Sequence, residues 1–327
     1  MKKALLKYLV SPKKGEPLSL QNEKCKGDDI VSDTLVSKSG NRFPIRDGIP
    51  RFVDSHYANN FSFEWHKHRR TQFDRSGMNL SEEQFFRYTN WTPSEINGKL
   101  ILDAGCGSGR FSEIALKYGA IVIAFDLSEA VNDAWENLSH YNNFSVLQAD
   151  ICELPFLPET FDYVYCIGVL QHTPNPIKSL QCLLKLAKKD GKFACWFYVK
   201  NWRKPWTWLH MKWFLRPFLK HLPAKMLYRF VKWYVPKLMP LSRAVRSIDI
   251  MNRMGWHEML VPIANRDYIA GTSEKDKLDL AILDTFDWYS PKYDKPLSEE
   301  KVMKILASIG YENITRSFVG AIQGTRK

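Results

Sequence analysis

The residues whose types and spacing can do chemistry begin with Ile101-Leu102-Asp103-Ala104-Gly105-Cys106-Gly107-Ser108-Gly109-Arg110. A short apolar run enters a glycine-rich turn and leaves it in a helical pattern. Glycine adopts backbone angles that side chains resist, and without a Cβ it lets a ligand approach the main chain closely. The spacing G-x-G-x-G departs from the dinucleotide fingerprint, which puts two residues before its last glycine; Arg110 takes that place here. Asp103 stands just before the loop, where a carboxylate suits a cationic ligand better than a pyrophosphate. Asp126 closes the next apolar run, 19 residues after Gly107, where a doubly wound fold sets a carboxylate against ribose hydroxyls. Ala149-Asp150-Ile151 ends the third run, positioned for a carboxylate to accept from an adenine amino group.

These residues need a scaffold that brings successive strand ends together. From Lys99 the pattern alternates short β-rich runs with helical periods, the signature of a parallel sheet with crossover helices. Strands are predicted at 100–103, 120–126, 144–148, 161–167 and 192–198, with helices near 110–118, 128–138 and 176–188. The alternation breaks at 199 and resumes late. Ser298 followed by two glutamates starts a helix, Gly310 stops it, and strands follow at 311–318 and 321–324. Domains are expected at 1–55, 56–98 (a helical linker with Phe61, Trp65, Phe73, Phe85, Phe86 and Trp91), 99–198, 199–297 and 298–327.

At these residues the sequence resembles class I S-adenosylmethionine-dependent methyltransferases, in particular the group related to ubiquinone and menaquinone methyltransferases. The matching pieces run from Leu102 to Gly109, then Phe125-Asp126-Leu127-Ser128, Gln148-Ala149-Asp150, Leu154-Pro155-Phe156 and Phe161 to Thr173. The resemblance implies an α/β, Rossmann-like seven-stranded methyltransferase sheet with a helical insertion after the fifth strand, and S-adenosyl-L-methionine as cofactor. Asp103, Gly105, Cys106 and Gly107 would lie along its methionine part, Asp126 and Leu127 at the ribose, and Asp150 and Ile151 at the adenine. The loop from Gly168 to His172 would face cofactor and acceptor. In-line transfer draws most of its rate from alignment, so a general base is optional. His172 is the candidate base, since an imidazole takes protons near neutral pH; a histidine that only shapes the pocket is the other reading.

Residues 1–55 are rich in Lys, Gly, Ser and Pro and predict short strands and turns. They resemble the small Trm112-like companion module, whose paired zinc-binding cysteines are replaced here by Ser11 and Lys14, then about Val36 and Ser39. Lone Cys25 cannot build a four-ligand site, so no metal is expected, and a structural brace is the implied role. The start, MKKALLKYLV, reads as part of a folded element rather than a signal peptide.

Residues 191–247 hold 13 Lys and Arg and no Asp or Glu, although the whole chain carries 47 basic and 35 acidic residues. The rest of the chain is therefore 34 basic against 35 acidic, and the excess sits in one segment. Six of the 11 tryptophans fall there too: Trp196, Trp202, Trp206, Trp208, Trp213 and Trp233. Lys212, Arg216 and Lys220 share one face of a first helix, which Pro217 should bend. Lys225, Arg229 and Lys232 repeat the scheme in a second helix, which Pro236 should end. Three readings stay open: an anionic membrane surface through 199–240, nucleic acid, or a helical lid over the acceptor. No N-P-P-Y-like motif follows the fourth strand, which disfavours nucleic acid. Downstream, Asp287, Trp288 and Tyr293 are candidates for the acceptor wall.

Six cysteines without a C-x-x-C pair exclude a disulfide framework and a zinc knuckle. They favour a cytoplasmic setting, peripheral at a membrane if the basic segment binds one. No apolar run is long enough for a transmembrane helix. The expected function is methyl transfer to a small-molecule acceptor, lipid-linked or belonging to a glycan or secondary-metabolite pathway. The rivals are an RNA methyltransferase and a non-catalytic scaffold of the same fold.

Overall fold

Leu100–Ala104 is buried along its whole length, as a strand covered by helices on both faces must be. This strand, β6 after five in the amino-terminal module, lies near the middle of a seven-stranded sheet. The computed structural model describes residues 1–21, 24–26 (backbone only), 29–53, 71–75, 77–199, 211–249, 259–265, 267 and 272–327. β7 (Ile121–Asp126) and β8 (Phe144–Gln148) continue the sheet on one side of β6 in parallel. β9 (Phe161–Ile167) and β10 (Ala187–Trp196) extend it on the other, also in parallel. β12 (Ala321–Arg326) and β11 (Tyr311–Phe318) finish the sheet, β12 antiparallel to both of its neighbours. The spatial order is β11-β12-β10-β9-β6-β7-β8. The chain thus reverses direction between β8 and β9, and a doubly wound sheet binds its ligand at such a switch point, outside the carboxyl ends of the strands.

Helices α1 (Leu80–Thr89) and α2 (Pro93–Ile96) precede the sheet; α3 (Arg110–Lys117), α4 (Ala130–Leu138) and α5 (Pro176–Leu184) link its strands. β10 starts five residues earlier than predicted. Its first stretch, Lys188-Lys189-Asp190, is exposed and polar, and the register with β9 shifts between Ala187 and Lys192, so no apolar pattern marks it. The predicted helix at 176–188 accordingly stops at Leu184. Phe85 and Trp91 are buried against the aromatic rings of β9, Phe85 edge-on to Tyr165 at 5.3 Å and Trp91 on Tyr163 at 4.7 Å. Phe61 and Trp65 lie outside the described residues.

The amino-terminal module is a five-stranded antiparallel sheet of β1 (Leu18–Leu20), β2 (Lys24–Lys26), β3 (Asp29–Ser37), β4 (Arg42–Arg46) and β5 (Ile49–Pro50). Leu5 and Leu9, from its first turns, join Ile30, Leu35 and Ile45 in the same buried cluster as Leu147 and Phe156. The module also covers the free edge of β8. The Phe52 N–H donates to the Gln148 carbonyl at 2.8 Å, and the Arg51 guanidinium reaches the Gln148 and Asn132 side chains. An open sheet edge is a liability for unwanted pairing, and these contacts cover part of it. Around Ser11 and Ser39 the structure has a polar cluster: Glu16 accepts from the Ser39 hydroxyl at 2.7 Å, and Ser11 accepts from the Glu16 N–H. The Cys25 side chain lies outside the described residues.

The chain divides into two units. Met1–Asn59, Ser81–Val199 and Tyr293–Lys327 form one, Asn60–Leu80 and Lys200–Lys292 the other. The division therefore runs through the stretch 56–98. In the second unit α6 (Met211–Leu219), α7 (Ala224–Ser247) and α8 (Glu274–Tyr289) pack around Val231, Val235, Ile282 and Phe286. Helix α7 corrects the expectation that Pro236 ends it: it runs on through Pro236 and Pro240 to Ser247. Both prolines are exposed, so the carbonyls they deprive of a partner turn to water. Val235 and Met239 meanwhile hold the helix to its neighbours. Arg216 is a second correction. It is buried rather than on a solvated basic face, and its guanidinium donates to the Trp288 and Pro291 carbonyls, at 3.1 and 2.6 Å. A cation there caps the carboxyl end of α8. Arg216→Ala should cost about 2–3 kcal/mol by stranding those carbonyls, read as a lowered midpoint in urea. Trp202, Trp206 and Trp208 lie outside the described residues, and among those described no helix is long and apolar enough to cross a membrane.

Candidate functional site

The three carboxylates of interest sit at or just past the carboxyl ends of adjacent parallel strands: Asp103 in β6, Asp126 closing β7, Asp150 two residues beyond β8. The loop between β6 and α3 is laced to β7. The Gly105 and Cys106 N–H groups both donate to the Phe125 carbonyl, at 2.8 and 3.0 Å, and the Gly107 N–H donates to Asp126 Oδ2 at 3.0 Å. The loop's first three N–H groups are thus spent inside the protein, with the Asp103 and Asp126 carboxylates beside them. What the loop offers is negative charge, which fits the cationic S-adenosylmethionine.

Gly105 has a second reason to be glycine. It has a φ of +81°, and a Cβ there would come within 2.4 Å of a Val169 methyl. The loop and the segment after β9 are therefore in direct contact, which brings Gly168 beside the glycine turn. Val169 lies in the loop from Gly168 to His172 that the sequence singles out; its contact with Gly105, across neighbouring strands, leaves no periodic signal.

Asp103 is buried, accepting from the Ser112 hydroxyl at 2.6 Å beside buried Tyr165. Burial raises its pKa to about 6, Ser112 partly opposing that. Asp126 Oδ1 accepts from the Ser128 N–H at 2.8 Å and the Ser128 hydroxyl at 2.7 Å, and burial again pushes the carboxyl upward. Asp150 accepts from the Cys152 N–H at 2.7 Å, while Ile151 beside it is half-buried. The Leu127 carbonyl accepts from the Gln148 side chain at 2.9 Å, so Arg51, Gln148 and the Asp126 turn form one chain of contacts. Burial holds the Cys106 thiol protonated, which leaves it a filler of the loop rather than a nucleophile.

With Asp103 at about 6, binding of a cation should be linked to its ionisation. The carboxylate form attracts the cation, so affinity for S-adenosylmethionine should be flat above that pH and fall below it, approaching about tenfold per pH unit. Calorimetry from pH 5 to 8 reads this, and Asp103→Asn should flatten the profile. An affinity of wild type that ignores pH would make Asp103 a packing residue.

His172 ends a 3-10 turn, Leu170–His172. Its Nδ1 lies 3.1 Å from the Tyr293 carbonyl, an acceptor, so Nδ1 carries a proton and donates. The neutral ring then has its lone pair on Nε2. Tyr198 packs edge-on to the imidazole at 5.5 Å between ring centres. Of the three residues expected to form the acceptor wall, Tyr293 belongs to the same unit as His172 and meets it through its backbone carbonyl. Asp287 and Trp288 lie on α8 in the second unit, where Trp288 packs against that unit's core and Lys212 lies over its ring at 5.0 Å. Ser112 and Ser128 were missed. An Asp-x-Ser turn is a local motif, so Ser128 was open to discovery; Ser112, one helix turn beyond the glycine loop, was not.

Residues 102–195 match the family model described as methyltransferase domain. Among curated proteins, the ubiquinone biosynthesis O-methyltransferase of Coxiella burnetii (strain RSA 493 / Nine Mile phase I) is 35% identical over 99 residues, covering 30% of this chain and 42% of that protein. The protein of the same description from Haemophilus ducreyi is 34% identical over 113 residues, covering 32% and 48%. The chain thus spans about half the length of the curated relatives it matches. Among solved structures, magnesium protoporphyrin IX methyltransferase from Synechocystis PCC 6803 with bound S-adenosylmethionine is 16% identical, with a TM-score of 0.45, covering 84% of this chain and 98% of that one.

Proposed function

We propose that this chain, which carries a class I S-adenosylmethionine-dependent methyltransferase domain, moves a methyl group to a hydroxyl of a small organic acceptor. The observation that carries the reading is three carboxylates at successive strand ends around a glycine turn whose first three N–H groups are held by β7. The bound cofactor supplies an activated methyl on a sulfonium. Asp103 and the glycine turn bind its methionine part, Asp126 its ribose, and Asp150 with Ile151 its adenine.

A hydroxyl acceptor must shed a proton as the new bond forms, and His172 Nε2 is oriented to receive it while Nδ1 stays on the Tyr293 carbonyl. The relatives named as O-methyltransferases support an oxygen acceptor; a lipid-linked one is the finer reading. Titration of the protein with S-adenosylmethionine and S-adenosylhomocysteine, followed by an assay of S-adenosylhomocysteine release with hydroxylated aromatic and glycan acceptors, tests the proposal. Absence of cofactor binding by calorimetry would return the chain to a non-catalytic scaffold.

A further inference from the structure

Helix α7 buries one face and leaves a second apolar stripe in water. Met226, Phe230, Trp233 and Leu241 are all exposed, Trp233 at 58%. At 100° per residue they fall within about 80° of arc, along about 22 Å of the helix. Lys237 lies on the same line, its ammonium 3.8 Å over the Trp233 ring. On α6, Phe214 and Phe218, one turn apart, are exposed as well. A soluble surface helix does not ordinarily carry a row of this kind.

The charges beside the stripe narrow the occupant. Lys225, Arg229 and Lys232 project from the neighbouring arc, exposed and without an acidic partner among the described residues. By contrast, Arg216 and Arg243 are used internally, the latter held by Asp267 and Glu274. No acidic residue stands anywhere between 191 and 247.

We infer that α7, with the exposed phenylalanines of α6, is a docking surface for an anionic lipid bilayer. The aliphatic members of the stripe enter the acyl boundary, Trp233 sits at headgroup depth, and the lysines and arginine meet lipid phosphates. Single-stranded nucleic acid would use the same cations and stack bases on Phe230 and Trp233, but it would leave the aliphatic Met226 and Leu241 of the stripe in water. A second copy would set like charges against each other.

The test is co-sedimentation of the full chain with vesicles of phosphatidylcholine alone or of equal parts phosphatidylcholine and phosphatidylglycerol. It reads binding alone, so it stands or falls independently of methyl transfer. The anionic vesicles should bind about tenfold more tightly or better, and salt should weaken them. The paired change Phe230→Ser and Trp233→Glu, at exposed positions, should abolish binding with circular dichroism unchanged. Lys225→Glu with Arg229→Glu and Lys232→Glu should erase the preference for anionic lipid. Equal binding to both vesicles or none to either, binding to a single-stranded RNA in place of vesicles, or a dimer in sedimentation that the Trp233→Glu pair dissolves would each overturn the inference.

Discussion

Asp126→Ala should weaken binding of S-adenosylmethionine and S-adenosylhomocysteine at least about tenfold in calorimetry, since a hydrogen bond to a charged group is worth about 1.5–3 kcal/mol. The side chain does two jobs. As the ribose acceptor it would give bonds directly to the cofactor. It also fixes the binding surface, with one oxygen on the Gly107 N–H and the other on Ser128. Alanine strands the Gly107 and Ser128 donors and unties the glycine turn from β7. Asp126→Asn keeps the shape and one acceptor oxygen, so its loss should be smaller; Ser128→Ala removes one supporting bond and should lose least. Thermal melting without ligand separates the two jobs. A melt that drops in Asp126→Ala while cofactor affinity holds would refute the ribose assignment and leave only the tie.

The parts of the molecule that were legible are those whose environment repeats along the chain. β8, β9 and β11 have the bounds their sequence predicts, and β6 and β7 agree to within a residue. Strands β6 to β9 are largely buried on both faces and read as mostly apolar runs. Asp103, Asp126 and Asp150 were visible because each stands where such a run meets a turn. What stayed hidden depends on partners distant in sequence. Arg216 looks like any basic residue on an amphipathic helix until Trp288 and Pro291 supply its acceptors. The start of β10 is polar because its side chains face water and its pairing is carried by backbone. Pro236 is a helix stop by local chemistry alone, and tertiary packing of Val231, Val235 and Met239 overrides it.

His172→Gln should lower kcat by about 10²–10⁴, the range general-base catalysis supplies, with S-adenosylhomocysteine affinity unchanged. Glutamine keeps a donor to meet the Tyr293 carbonyl but has no atom that takes up a proton in neutral water. The loss should therefore fall on kcat rather than on cofactor binding. An acceptor whose hydroxyl is already ionised at the assay pH should rescue it, because the proton is gone before the complex forms. That rescue distinguishes a base from a wall: a residue that only shaped the pocket would cost both acceptors the same factor. Tyr198→Phe, which keeps the edge-on ring at the imidazole, serves as the control and should leave kcat near wild type. If His172→Gln turns over an unionised acceptor at the wild-type rate, the proton leaves to water and alignment of the hydroxyl with the methyl carries the rate.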